Sequence, residues 1–392
     1  MYSDSFTRVA VIGATGIVGG SVLDICARFP ERFGVVAMAA RSNSNKLLSL
    51  SKRFGSKTAY LATPSHEDSR MFRENGIELL SGDEGLENFA GLSEADHVVL
   101  ASSGTETIFA LKRALESGKD VSLANKESVV AAGPWLMPLV RRPDQLRPLD
   151  SEHNAIWQCL CGEPRANIKR VTLTASGGPF REFSAARMKN VTPQEALRHP
   201  VWNMSPKITV DSSNLMNKGI ECIEATQLFG LGMEQVKAVI HPSSQVHGMV
   251  EFSDATVKLL LFRPDMRIAS AAALAWPDRL PLGDMREFAV PECEDWSMEF
   301  SAPDEKRFPC FSIAREAGRR GGPYPPLLIG ADEVAVRAFL DGCIPFLAIS
   351  NIIERTLETY KGSSPSSLDD AVQLIFEGER LATELCSAFH GR

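Results

Sequence analysis

Over the first 130 residues, short unbroken apolar runs alternate with stretches whose apolar positions recur every three or four residues. The runs are RVAVI from Arg8, VVAMAA from Val35, HVVLASSG from His97 and DVSLAN from Asp120. Such runs predict strands buried on both faces, and the helical spacing between them, as in SVLDICARF, predicts crossover helices. Alternation of this kind implies a parallel sheet with a ligand at the carboxyl ends of its strands. After Asp150 the texture changes. VTLTAS from Val171, KITV from Lys207, AVIHP from Ala238 and VHGMVEF from Val246 read as strands, separated by long helical patterns. That is the pattern of an α+β domain, whose apolar strands could pair across a dimer interface. From about Pro281 to Pro309, Pro, Glu and Asp accumulate without periodicity, as in a linker. From Ser312 onward EVAVRAFLDG, FLAISNIIERTLETY and DDAVQLIFEGERLATEL keep helical spacing and predict a small bundle.

The first apolar run ends in GATGIVG. Gly13, Gly16 and Gly19 stand between a predicted strand and helix, where glycine permits a tight turn and close approach of the backbone to a pyrophosphate. A purely structural βα turn is the plainer alternative. The second strand ends in Ala40, Arg41 and Ser42, without the acid that binds a ribose 2′-hydroxyl. Arg41 with Ser42 suits a 2′-phosphate, so NADPH is expected over NADH. The fold class follows: α/β, with a Rossmann-like parallel-sheet domain over 1–150, a central α+β domain over 151–280, a linker over 281–311 and a C-terminal helical bundle over 312–392.

Chain length and charge narrow the function. At 392 residues the chain exceeds one core. A net charge of -7 argues against a nucleic-acid or anionic-membrane surface and leaves room for a local basic pocket. The eight cysteines are scattered, which suits a reducing cytosol; Cys159 and Cys161 in AIWQCLCG read as core. No signal peptide precedes the first strand and no apolar stretch would span a bilayer, so a cytoplasmic location is expected.

The candidate chemistry begins at DSEHNAIWQ. In an extended segment Asp150 and Glu152, two apart, would face one site and could hold Mg²⁺ or Mn²⁺. The alternative is an acidic cap on a helix beginning near Asn154. Asn125, Lys126 and Glu127 follow the fourth predicted strand, where Lys126 could donate to a substrate hydroxyl or simply open a helix. TASGGPF places Ser176 before two glycines in a turn able to wrap an anion. DSSNLMNKGIE supplies Ser212, Asn217, Lys218 and Glu221. Hydroxyl, amide and ammonium suit a phosphate, Glu221 a metal, and a polar helix edge explains them equally. Glu224 follows, with an ambiguous role. REFSAARMKNVTPQEALRHPVWNM reads as a long loop tipped by Trp202, a candidate lid. Among the seven histidines, His199 and then His247 stand out.

Taken together, GATGIVG, LANKES, LDSEHNAIWQ, SGGPFRE, HPVWNM, KITVDSSNLMNKGIE, IHPSSQVHGMV, PDMR, AWPDRL, RFPC and GADEVAVRAFLDG resemble the 1-deoxy-D-xylulose 5-phosphate reductoisomerase family, in order over nearly the whole chain. The resemblance implies NADPH- and metal-dependent rearrangement and reduction of 1-deoxy-D-xylulose 5-phosphate to 2-C-methyl-D-erythritol 4-phosphate, with Mn²⁺ or Mg²⁺, Co²⁺ being a further possibility, in a homodimer. Asp150, Glu152 and Glu221 would bind the metal. Ser176, Ser212, Asn217 and Lys218 would hold the phosphate, with His199 nearby. Lys126, Ser151 and Glu152 would meet the substrate hydroxyls, and Trp202 would cover the bound chain. Thr15, Gly16, Ile17, Val18, Arg41, Asn125 and Glu127 fall where the family contacts NADPH. This sequence departs from the family at Ile17, at Ala40 to Ser42, at Ser205 on the cofactor side, at Phe262-Arg263 and at Asp332, where asparagine is common.

Two other readings are weaker. A semialdehyde or acyl-phosphate dehydrogenase needs a cysteine nucleophile, and the region around ASSGTE has none. A non-catalytic NADP(H) sensor has no use for three carboxylates, a lysine and a phosphate cradle together.

Overall fold

The computed structural model describes residues 6–202, 204–289 and 298–387. In it the apolar runs become a seven-stranded sheet: β1 (Thr7–Ile12), β2 (Phe33–Ala40), β3 (Thr58–Leu61), β4 (Glu78–Leu80), β5 (His97–Leu100), β6 (Asp120–Leu123) and β7 (Leu146–Pro148). Its order is β4-β3-β2-β1-β5-β6-β7 and every pairing is parallel. The winding reverses between β1 and β5, so the turn after β1 opens at a topological switch point. Val9, Ala10 and Val11 of β1 have no exposed surface, as a strand covered on both faces requires.

The chain divides into two compact units, interleaved along the sequence. The first comprises 1–128, 136–157 and 265–290; the second comprises 129–135, 158–264 and 291–392. The expected boundaries at 150, 280 and 311 are single points on the chain, whereas the units interleave. The helix Met266–Ala275 packs on the helix Ile17–Arg28 within the first unit. Of the stretch expected as a linker, Leu282 and Phe288 join the core formed by Val9, Val22, Ile25 and Phe33; 290–297 lie outside the described residues.

The second unit holds a mixed sheet of β8 (Ile168–Ala175), β9 (Val236–Ile240), β10 (Val246–Phe252) and β11 (Val257–Leu261), ordered β11-β10-β8-β9. β8 and β9 are parallel, and the other two pairings are antiparallel. The helical tail (Pro309–Arg320, Tyr324–Leu340, Ala348–Thr359 and Leu368–Ser387) belongs to the same unit. Two of its helices touch backbone to backbone: a Cβ on Gly378 would lie 2.5 Å from the Leu327 carbonyl oxygen. Among the described residues, no helix is long and apolar enough to cross a membrane.

Two expectations are corrected here. KITV is not a strand but part of the helix Pro206–Ser213. Proline suits the first helical turn, and the Ser205 carbonyl accepts from both the Thr209 N–H (3.0 Å) and its hydroxyl (2.8 Å). DSE is not extended either. The helix Ser151–Leu160 begins there, and the Asp150 carbonyl accepts its first bond from the Asn154 N–H at 2.8 Å.

Candidate active site

Candidate residues gather in two clusters, one in each unit. In the first, the carboxyl ends of β1 and β2 build a glycine-lined turn. Gly13 has φ +86°, and a Cβ there would stand 2.5 Å from the Ala101 carbonyl oxygen. A Cβ on Gly19 would strike the Gly13 carbonyl, so both positions exclude a side chain. Gly16 caps the next helix without a side chain, and Thr15, Gly16, Ile17 and Val18 line the turn, with Ile17 half-exposed. Ala40 is buried at the end of β2, and Arg41 and Ser42 are exposed beyond it. Lys46, which the sequence reading missed, donates to the Thr15 carbonyl at 2.9 Å and adds a cation at the turn. The only signal for it was a basic residue in the first turn of a helix, where acids are favoured. A turn that excludes side chains at Gly13 and Gly19, with Lys46 at the Thr15 carbonyl and Arg41 just past β2, fits a dinucleotide with an additional phosphate.

Strands β6 and β7, beyond β5 in the same sheet, deliver the remaining groups of this cluster. Asn125 is buried, and its amide is committed to the fold: it donates to the Ser102 carbonyl at 2.8 Å and accepts from the Ser128 N–H (2.8 Å) and hydroxyl (2.6 Å). That caps the helix Lys126–Leu136 and fixes its first turn, which carries Lys126 and Glu127. Lys126 Nζ lies 2.5 Å from Asp150 Oδ2, with about nine-tenths of both side chains buried. The Ser151 hydroxyl donates to Glu152 Oε2 at 2.5 Å. One carboxylate oxygen each of Asp150 and Glu152 lie within 4.8 Å of one another. These oxygens are the hard donors that Mg²⁺ and Mn²⁺ prefer. Buried His153 stands 3.9 Å from Asp150 Oδ2.

In the second unit, β8 ends at Ala175, and Ser176 leads out of it into Gly177 and Gly178, both at positive φ. The Ser176 hydroxyl accepts from the Gly178 N–H at 3.2 Å and lies 3.1 Å from His199 Nε2, which is 3.0 Å from the Ser212 hydroxyl. His199 Nδ1 accepts from the N–H groups of Val201 (3.2 Å) and Trp202 (2.8 Å). Its proton therefore sits on Nε2, facing the two hydroxyls. Burial lowers the His199 pKa to about 4, so the ring is neutral at pH 7.

Ser212 lies in the last turn of one helix and Asn217 in the first turn of the next, Met216–Phe229, across a turn in which Leu215 has φ +63°. The Asn217 amide donates to Glu221 Oε1 at 2.5 Å, and Lys218 forms a buried ion pair with Glu221 Oε2. Glu224 is buried one turn on. A hydroxyl pair, a main-chain N–H and a neutral imidazole donor together suit an anion such as phosphate. The loop tipped by Trp202 is not structureless: it contains the short capped helices Ala185–Met188 and Pro193–Ala196. Trp202 meets His247 edge-on at 6.1 Å between ring centroids, and His247 stacks on Phe262 at 3.7 Å. Exposed Ser205 stands at the start of the 206–213 helix. Asp332, the departure from asparagine, is fully buried and accepts from Lys207 Nζ at 2.6 Å, as does Asp211 at 2.6 Å.

Three family models match the chain: one described as 1-deoxy-D-xylulose 5-phosphate reductoisomerase over residues 9–133, its C-terminal domain over 146–229, and a DXP reductoisomerase C-terminal domain over 261–380. Similar proteins of that name include one from Chloroherpeton thalassium, 40% identical with 98% of this chain and 99% of that one covered. Another, from Moorella thermoacetica, is 44% identical over 90% and 91%. Among solved structures, the enzyme from Zymomonas mobilis in complex with NADPH matches with TM-score 0.89 and 38% identity, covering 97% of this chain and 99% of that one. A reductoisomerase in complex with NADPH, fosmidomycin and magnesium matches with TM-score 0.88 and 33% identity, over 97% and 98%.

Proposed function

The chain belongs to the 1-deoxy-D-xylulose 5-phosphate reductoisomerase family, and on that premise we propose which residues perform the family's reaction. That reaction is the NADPH- and divalent-metal-dependent rearrangement and reduction of 1-deoxy-D-xylulose 5-phosphate to 2-C-methyl-D-erythritol 4-phosphate. When bound, the cation supplies Lewis-acid polarisation of substrate oxygens and NADPH supplies the hydride.

Most of the NADPH contacts are assigned to the first unit, and the substrate phosphate to the second. Thr15, Gly16, Ile17, Val18, Ala40, Arg41, Ser42, Asn125, Glu127 and Ser205 are assigned to the cofactor, with Lys46 beside them. Asp150, Glu152 and Glu221 would hold Mg²⁺ or Mn²⁺, all through hard carboxylate oxygens. Lys126 keeps an ammonium at Asp150, placed to donate to a substrate hydroxyl alongside Ser151. The observation that best supports the substrate assignment is the Ser176–His199–Ser212 cluster. A phosphate oxygen can take the hydrogen bonds that these groups now share, with Asn217 and Lys218 completing the donor set. Trp202 covers the bound chain and excludes water. Binding energy from the phosphate, remote from the reacting carbons, then aligns them.

The test is NADPH oxidation, followed by absorbance, with 1-deoxy-D-xylulose 5-phosphate and Mn²⁺ or Mg²⁺, repeated with EDTA. Metal-dependent oxidation yielding the branched polyol phosphate is expected. Folded, NADPH-binding protein that stays silent under either metal would refute the assignment. Glu221→Gln should lower turnover by ~10²–10³-fold with NADPH affinity nearly unchanged; wild-type-like turnover would remove Glu221 from the metal set.

The assembly we propose is a homodimer formed at the edge strand β11, where Val257 is 55% and Leu259 42% exposed. The location we propose is the cytoplasm, which the scattered placement of the eight cysteines suits.

A further inference from the structure

We propose that Arg307 is a positioning residue for the substrate phosphate, acting through the main chain rather than by touching substrate. This rests on the assignment of Ser176, His199 and Ser212 to that phosphate. Arg307 Nη1 donates to two peptide carbonyls, Arg181 at 2.9 Å and Phe183 at 2.7 Å. Its Nε donates to Asp304 Oδ2 at 2.7 Å, and Asp304 Oδ1 accepts from the N–H groups of Lys306 (3.2 Å) and Arg307 itself (3.1 Å). The guanidinium is thus held in one orientation before it meets the carbonyls.

The carbonyls it grips belong to the segment leaving the phosphate cluster. Arg181 turns back, and its Nη1 donates to the Ser176 carbonyl at 3.1 Å. A Cβ on Gly177 would lie 2.8 Å from Arg181 Cδ, and one on Gly178 would lie 2.6 Å from the Ser212 carbonyl, so the loop has no slack on either side. Between them Phe180 is buried, 5.1 Å from the Phe346 ring and 5.0 Å from that of Phe183. Residues 176–181 therefore form a closed loop, pinned by β8 at one end and by Arg307 at the other. The Ser176 hydroxyl and the Gly178 N–H take their positions from that loop. A guanidinium suits this task because it offers several donors in a fixed plane.

The test is steady-state kinetics of the full chain with 1-deoxy-D-xylulose 5-phosphate, NADPH and Mg²⁺, with inorganic phosphate as a competing ligand. Arg307→Ala should raise the substrate KM and the inhibition constant of inorganic phosphate together, about tenfold, because loosening a positioning group by a fraction of an ångström costs this much. The KM for NADPH should stay at its wild-type value, and kcat should change less than the substrate KM. Arg307→Lys, which keeps one donor in reach, should recover part of the loss and guards against a misfolded alanine variant. Unchanged substrate KM and phosphate inhibition in Arg307→Ala overturn the inference. So do uniform losses in NADPH binding, substrate binding and thermal midpoint in both variants, the mark of general destabilisation. Ser176→Ala separates the two layers. If it raises the substrate KM while Arg307→Ala does not, only the positioning role falls; if it has no effect, the phosphate assignment itself is wrong.

Discussion

His199 illustrates how far one residue's surroundings decide its chemistry. Two main-chain N–H groups fix the acceptor at Nδ1, burial holds the pKa near 4, and the remaining proton faces two serines. In the unfolded chain the same ring titrates near its ordinary value, about 6.5. The folded value is the lower one, so this neutral ring's contribution to stability is complete above pH ~6.5 and is lost as pH falls toward 4. The thermal-midpoint gap between wild type and His199→Asn should therefore shrink from pH 7.5 to pH 5. A gap that stays constant would show that the ring does not titrate with this shift. Sequence could single out His199 by the unusual text around it, but not its tautomer, which depends on which backbone groups point at Nδ1. Lys46 and Arg307 were illegible for a related reason: both act on carbonyl oxygens, which leave no trace in side-chain patterns.

Elements were legible where the apolar pattern was long. β2, β5, β6, β10 and the tail helices lie close to where the spacing put them, whereas β3 (TAYL), β4 (ELL) and β7 (LRP) are three- or four-residue stretches that do not stand out from the polar text around them. KITV alternates like a strand, yet Pro206 and the Ser205 carbonyl nucleate a helix there. The same local override moved Asp150 and Glu152 from an extended segment to a helix start. β11 makes a prediction of its own. It is the edge strand of its sheet among the described residues, with Val257 and Leu259 exposed and Lys258 between them in an ion pair with Glu163. Leu259→Lys should shift the protein from dimer to monomer in sedimentation velocity. A variant that remains dimeric would place the interface elsewhere, and a monomeric wild type would remove the dimer altogether.

For the molecule as a whole, the family segments could be read in order from end to end, but the grouping of the chain into units could not. Contiguous text suggests contiguous domains, and residues such as Ala271, Leu274 and Phe288 reveal their destination only through what they pack against. Their late position also bears on synthesis. A nascent chain of 157 residues already contains all seven strands of the parallel sheet, but not the helix that packs on residues 17–28. At ribosomal speeds of about 5–20 residues per second, that cover arrives roughly 5–20 seconds later. Until then the face of the 17–28 helix that it covers waits unburied while the segment in between is made, which gives chaperones a window on the first unit that a contiguous domain would close sooner.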